Sequence, residues 1–225
     1  MKTKAASKSV RWAHISILTL MVLCTLFAIK PWNAWRNTNP DFYGWNVFSY
    51  FTVQSNIIAA AVYCITIVGL LRHKSVGGWF RHVRGAAVLY MIVTGLVYTF
   101  LLQNNPDVNP SLGFDWNNFI LHQLGPLFIV AWWLLWPSRK PISPRAALWW
   151  LIFPILWLIY TLTRAHFVHW YPYPFLNPAK VGGAGNVAWY ILGIAVGFIL
   201  LSQAVAWASR MRARGAHRTK MQPHV

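Results

Sequence analysis

Two apolar stretches of the chain each carry side chains that are able to take part in proton transfer. In "FSYFTVQSN", Thr52, Ser55 and Asn56 are spaced i, i+3 and i+4, so a helix places them on one face. In "NNFILHQLGP", His122 is the ionisable side chain. A hydroxyl becomes a nucleophile when a neighbouring base takes its proton, and neutral imidazole is the usual base near pH 7. The sequence therefore predicts a pairing of Thr52 with His122.

A third group that would orient the imidazole is harder to find, because no Asp or Glu falls inside an apolar segment. A Thr/His dyad is the most that the sequence supports, with Asn118, Gln123, Asn56 or a backbone carbonyl orienting the ring. Asn56 or Ser55 is alternatively expected to donate to a developing oxyanion. Asp115, at the mouth of the same segment, is a more distant candidate that would act through water.

The elements that must position these residues are apolar segments of membrane-spanning length. Six segments reach the roughly 18 to 20 residues needed to cross about 30 Å of hydrocarbon. They lie at residues 12–31, 47–71, 85–103, 116–136, 148–166 and 187–208. The expected fold class is an all-α integral membrane protein with six transmembrane helices, in which a domain of residues 12–208 is flanked by a basic N-terminus, 1–11, and a basic tail, 209–225.

Composition and charge restrict the class of protein further. The chain is 57% hydrophobic and 10% charged, with three acids and a net charge of +17, so it lacks the polar residues that clothe a soluble surface. Most of its 20 Lys and Arg lie in the two ends and in the second and fourth connections. By the positive-inside rule both termini are expected to be cytoplasmic, in a multipass protein of the cell membrane. The short basic inner loops suit anionic lipid headgroups, and nucleic acid is not an expected partner.

Depth relates the polar groups of different segments. Thr52 is predicted about five residues in from the outer end of its helix and His122 about six, which puts both roughly 7 to 9 Å below the outer boundary. In "YTLTRAHFVHW", His166 reaches the same side on the antiparallel fifth helix, at or slightly above this level. We therefore expect the three side chains at a similar depth in the membrane.

Three stretches give the chain a resemblance to a known family. "FSYFTVQSN", "NNFILHQLGPLF" and "HFVHWYPYPFLNP" are similar in order and placement to motifs of the androgen-induced gene one family, especially of its bacterial six-helix relatives. The family contains multipass membrane enzymes that use a threonine and a histidine to hydrolyse fatty-acid esters of hydroxy fatty acids. The resemblance implies Thr52 as the nucleophile, His122 as the base, and Tyr173 to Leu176 at the outer mouth.

Two alternative functions use the same residues. The polar side chains of the second and fourth helices would line the path of a small-solute carrier or channel. His122, His166 and His169 would alternatively hold a metal or a haem, since two of them are three residues apart. The expected function is lipid-ester hydrolysis, with a membrane lipid or fatty-acid ester as substrate and without a cofactor or metal.

Overall fold

A computed structural model describes residues 2–30, 44–105, 114–136, 138 and 140–220 of the chain. All regular secondary structure in these ranges is helical, with no strand. Six helices are long and apolar enough to cross a membrane, which is compatible with a multipass membrane protein. We number them α1 Lys2–Ile29, α2 Phe51–Leu71, α3 Phe80–Leu102, α4 Trp116–Leu135, α5 Pro144–Val168 and α6 Ala184–Lys220.

The six predicted segments correspond one to one with these helices, so their number and order are confirmed. The start of the second segment is wrong. Residues Gly44–Ser49 form a 3-10 turn, and Tyr50 is extended with φ −70° and ψ 131°. Because this residue interrupts the helical path, α2 begins at Phe51 and Thr52 lies in its first turn. At the other end of the chain, α6 continues as helix into the predicted tail and ends at Lys220.

Helix α3 is the centre of the bundle. It packs against α2, α4, α6 and the start of α5. In its most apolar stretch of 18 residues, 61% is buried, whereas the corresponding share is 39% or less in each other spanning helix. Helix α1 packs against α2 and α4. A buried hydrogen bond fastens α1 to α4, since Trp132 Nε1–H donates to His14 Nε2 over 2.7 Å. The apolar faces turned away from α3 are left for lipid.

Helices α5 and α6 contact each other mainly near the start of α5, at residues 144–151. Beyond that region the two helices diverge, and each exposes apolar side chains such as Ile155 and Ile199 on the outside of the bundle. Helix α5 ends at His169, whose left-handed backbone has φ 53° and whose N–H donates to the carbonyl of Ala165. The divergence leaves a cleft between the helices toward this end.

The 3-10 turn before α2 is fixed to α5 by side-chain hydrogen bonds. Ser49 Oγ lies 2.9 Å from Tyr160 Oη, and the guanidinium of Arg164 donates to Asn46 Oδ1. Asn46 is fully buried, where an unpaired amide oxygen would be costly. These contacts hold the first turn of α2, and with it Thr52, in a defined place beside α5.

Close packing at Gly85 gives a test of the bundle. A Cβ atom built at Gly85 of α3 would lie 2.6 Å from the buried indole ring of Trp150, so Gly85→Ala forces the two helices apart. We expect a loss of about 1–3 kcal/mol in the free energy of unfolding, the usual cost of overpacking. Thermal unfolding in detergent measures the change. The matched variant Gly193→Ala on α6, where a Cβ meets nothing within 4 Å, should keep or slightly raise stability. Equal behaviour of the two variants would contradict this packing.

Candidate active site

Thr52 and His122 lie in contact, as the sequence predicts. Thr52 is buried in the first turn of α2, and its Oγ1 is 3.3 Å from His122 Nε2 on α4. The other ring nitrogen, Nδ1, is 3.1 Å from the carbonyl oxygen of Asn118. A carbonyl oxygen only accepts, so Nδ1 carries the proton, and in the neutral ring the lone pair is on Nε2. The basic nitrogen of His122 therefore faces the hydroxyl of Thr52.

Tyr173 completes a directed chain of hydrogen bonds. The backbone N–H of Thr52 donates to Tyr173 Oη over 3.1 Å, and the same Oη is 3.1 Å from Thr52 Oγ1. Because the hydroxyl hydrogen of Thr52 points to His122, the phenol hydrogen of Tyr173 points to Thr52 Oγ1. Burial raises the pKa of Tyr173 to about 12, against the opposing effect of its hydrogen bonds with Thr52. The phenol is thus protonated, and able to donate, throughout the physiological range.

Two π-helical turns shape the surroundings of the imidazole. One, Ile120–Leu124, contains His122, and the other, Tyr98–Leu102, ends α3. The ring of Tyr98 stacks on that of His122 with centroids 4.1 Å apart and an interplanar angle of 20°. Single π turns widen a helix locally and are common at functional sites. Sequence reasoning missed Tyr98, since an aromatic residue in an apolar run carries no sign of such a contact.

Asn56 fastens the two helices of the dyad to each other. Its side-chain Nδ2 donates to the carbonyl of Thr52 over 2.9 Å and to that of Leu121 over 3.1 Å. Both amide hydrogens are therefore engaged with backbone carbonyls close to the side chains of Thr52 and His122. Neither predicted role for Asn56, in orienting the ring or in donating to an oxyanion, fits this arrangement. The structure gives it a positioning role.

The group that orients His122 is a backbone carbonyl, the last of the predicted options. The carbonyl belongs to Asn118, one turn earlier on α4. Gln123 is half-buried beside His122 but does not line the cavity described below. The carboxylate of Asp115 accepts from the N–H of Asn117 and caps the start of α4. Asp115 therefore stabilises the helix that carries His122.

Other predicted residues lie away from the dyad. Ser55 is fully buried on α2, the helix that carries Thr52, and its hydroxyl has no hydrogen-bond partner among the described residues. His166 is exposed, with its ring against Phe167, so the structure does not bring it to Thr52 and His122. Within the ranges that the structure describes, no three His, Cys, Asp or Glu side chains are grouped as a metal would require.

Two cavities meet at Thr52. The first, of about 540 Å³, is partly polar and is called the mouth below. Its lining includes His122, Asn118, Trp170 and Tyr171. The second, of about 190 Å³, is the apolar cleft between α3, α5 and α6. Both are lined by a shared set of three residues, Thr52, Leu102 and Tyr173. Thr52 thus lies where a partly polar and an apolar cavity adjoin.

The apolar cleft opens sideways from the bundle. Its walls include Val97 of α3, Leu158 of α5 and Phe198 of α6, and its rim includes Ile155 and Ile199, which are 54% and 44% exposed. These rim residues belong to helices long and apolar enough to cross a membrane. An apolar chain lying beside α5 and α6 can reach Thr52 through this opening without crossing water.

No known protein-family model, no characterised protein and no solved structure matches this chain. The resemblance to the androgen-induced gene one family therefore stays a prediction carried by the three short motifs. The site has to be interpreted from its own geometry.

The tautomer of His122 is open to direct measurement. With ¹⁵N-histidine labelling, NMR should give an unprotonated, pyridine-type shift for Nε2 of His122 and a protonated, pyrrole-type shift for Nδ1. The reason is the carbonyl of Asn118, which accepts from Nδ1. Comparison with His122→Phe assigns the signals among the eight histidines. A pyrrole-type shift at Nε2 would contradict the direction of the hydrogen-bond chain.

Proposed function

We propose that the chain is an intramembrane lipid-ester hydrolase in which Thr52 is the nucleophile and His122 the general base. The observation that carries this proposal is the lone pair of His122 Nε2, directed at the Thr52 hydroxyl where a polar and an apolar cavity meet. A nucleophile within hydrogen-bond reach of a base that a further group orients is the general pattern of nucleophilic catalysis.

In the acylation step, His122 Nε2 takes the proton of Thr52 as Oγ1 attacks the carbonyl carbon of the ester. The resulting tetrahedral intermediate collapses when the bond to the alcohol oxygen breaks, and His122 returns its proton to that oxygen. The products are a free alcohol and an acyl ester of Thr52. In the second step His122 removes a proton from water, which attacks the acyl-threonine. Return of the proton to Oγ1 releases the fatty acid.

Tyr173 is the proposed donor to the oxyanion. In the resting site its hydroxyl hydrogen points at Thr52 Oγ1, and this acceptor weakens as Oγ1 shares its lone pair in the new bond to the carbonyl carbon. The phenol hydrogen is then available to the negative oxygen that develops beside it. A preorganised donor in a water-poor site strengthens its interaction as charge develops, which is the form of stabilisation that accelerates acyl transfer most.

The neutral carbonyl of Asn118 takes the place that an Asp or Glu has in a catalytic triad. It fixes the tautomer and the orientation of His122, which are the main tasks of the acid in the Ser-His-Asp arrangement. It lacks the full negative charge that would stabilise an imidazolium. We infer a slower proton-transfer step than a complete triad supports, in an enzyme whose apolar substrate is held next to the nucleophile.

The two cavities support a proposal for the class of substrate. The apolar cleft suits the hydrocarbon chain of an acyl group, at about 0.8 kcal/mol for each buried methylene, and the larger mouth suits the alcohol portion. Fatty-acid esters of hydroxy fatty acids have this form, and the resemblance to the androgen-induced gene one family favours them. The ester bond would then lie across Thr52.

The proposed orientation puts the dyad near the outer leaflet of the cell membrane and both termini in the cytoplasm. Its support is the distribution of charge. Helices α2 and α4 begin at the end of the bundle that carries the site, whereas the connections that follow them contain Arg72, Lys74 and Lys140. The positive-inside rule assigns such connections to the cytoplasmic side.

Purified protein should hydrolyse a long-chain fatty-acid ester, and Thr52→Val and His122→Gln should both lose the activity because each removes one member of the proton transfer. Thr52→Ser should keep part of it. Tyr173→Phe should lower kcat by about 10²–10³, as loss of one oxyanion donor does. Fatty-acid release measures the rates. Thr161→Val, which removes a buried hydroxyl outside both cavities, is the matched control. Full activity of Thr52→Val would refute the mechanism.

The role of the cleft predicts a chain-length effect. Ala195 lines the cleft on α6, so the ring of Ala195→Phe should exclude part of a long acyl chain while sparing a butyryl ester. Exclusion of two methylenes corresponds to about 1.6 kcal/mol, or more than tenfold in kcat/KM. The control Ala204→Phe, on an exposed part of the same helix, should change neither substrate. An equal loss on both esters would show that the acyl chain binds elsewhere.

A further inference from the structure

Another cavity, lined by several cationic residues, lies at the opposite end of the bundle from Thr52. It has a volume of about 370 Å³ and is bounded by the end of α2, the connection to α3, the start of α3 and the connection between α4 and α5. Leu70, on its wall, is 18 residues after Thr52, or about 27 Å along α2. The cavity is therefore separate from the proposed hydrolytic site.

Four cationic side chains line this cavity, and no acidic residue does: Lys74, Arg81, Arg84 and Lys140. The hydroxyl-bearing residues Ser75 and Ser138 are also on its walls. Of the three acids in the chain, the one that the structure describes is Asp115, at the opposite end of α4. Like charges around one cavity repel one another, so this arrangement favours a negative charge from outside the chain.

Arg81 and Arg84 each contact neighbouring residues through the guanidinium group, and in each the Nε donor has no hydrogen-bond partner among the described residues. Arg84 donates to the carbonyl of Trp136 over 2.9 Å, and its guanidinium lies 4.2 Å from the ring centre of Trp132. Arg81 donates to the carbonyl of Gly78 over 2.9 Å. In both residues Nε is buried and has no hydrogen-bond partner among the described residues. Fixed guanidinium groups with unused donors suit the oxygens of a phosphate.

The location and size of the cavity identify the source of the phosphate. It is at the ends of membrane-spanning helices, where lipid headgroups lie, and it is much larger than the roughly 30 Å³ of a single water molecule. We propose that this cavity binds the phosphate of an anionic membrane lipid headgroup. The two arginines contact the phosphate oxygens, and the exposed ammonium groups of Lys74 and Lys140 lie at the rim. This inference does not depend on the proposed hydrolysis.

Native mass spectrometry of the full-length protein in detergent tests the proposal with phosphatidylglycerol, phosphatidylcholine and inorganic phosphate as three separate ligands. We expect retained phosphatidylglycerol, at least tenfold weaker binding of phosphatidylcholine, and no retention of inorganic phosphate. Equal retention of both lipids, or of inorganic phosphate alone, would overturn the assignment to an anionic lipid.

Two charge-matched double variants locate the binding. Lys74→Gln with Lys140→Gln removes two exposed rim cations, leaves both arginines in place, and should weaken phosphatidylglycerol binding by up to about fivefold for each ion pair with the headgroup. Arg72→Gln with Arg145→Gln removes the same charge from exposed positions that do not line the cavity, and binding should stay at the wild-type level. Equal losses in the two variants would show general attraction to charge and overturn the proposal. Arg81→Gln should give a further loss, because it removes a phosphate contact.

Discussion

Polar groups placed among apolar helices must find their hydrogen-bond partners within the protein, and this constraint organises the candidate site. The hydroxyl of Thr52, the phenol of Tyr173 and the two nitrogens of His122 satisfy one another in a single direction, which ends at the carbonyl of Asn118. A reversed hydrogen in this chain would leave two donors or two acceptors facing each other, which is costly for buried groups. The same requirement that stabilises the bundle thus directs the lone pair of His122 Nε2 toward the hydroxyl of Thr52.

The helix at the centre of the bundle's packing is different from the two helices between which the cleft to Thr52 opens. Helix α3 provides the packing centre, whereas α5 and α6 share few contacts beyond residues 144–151. Their divergence exposes apolar side chains that would be unfavourable in water but are suited to lipid. A cleft can therefore reach Thr52 from the side without weakening the core around α3. The positions with least packing are the ones that the proposed substrate would use.

The sequence could predict the six spans and the proximity of Thr52 to His122, because apolar length and helical rise depend on local sequence alone. It could not predict the extended residue Tyr50 or the π turn around His122, which depend on how neighbouring helices pack. The stacking of Tyr98 and the bonds of Asn56 to two carbonyls are tertiary contacts in the same sense. The predicted start of α2 was too early, so the predicted depth of Thr52 was wrong. The predicted partner, His122, was still right, because it was inferred from the chemistry of a hydroxyl and an imidazole as well as from depth.

The distance along the chain between the parts of the site has a consequence for biosynthesis. His122 is 70 residues after Thr52, whereas Tyr173 is 121 residues after it, in the segment that follows α5. At the usual 5 to 20 residues per second, the roughly 50 residues from His122 to Tyr173 take about 3 to 10 s to translate. The hydroxyl and the imidazole can meet during that interval, while the phenol has yet to be made. The site is thus completed late in synthesis, after the ribosome has translated α5 and the segment that follows it.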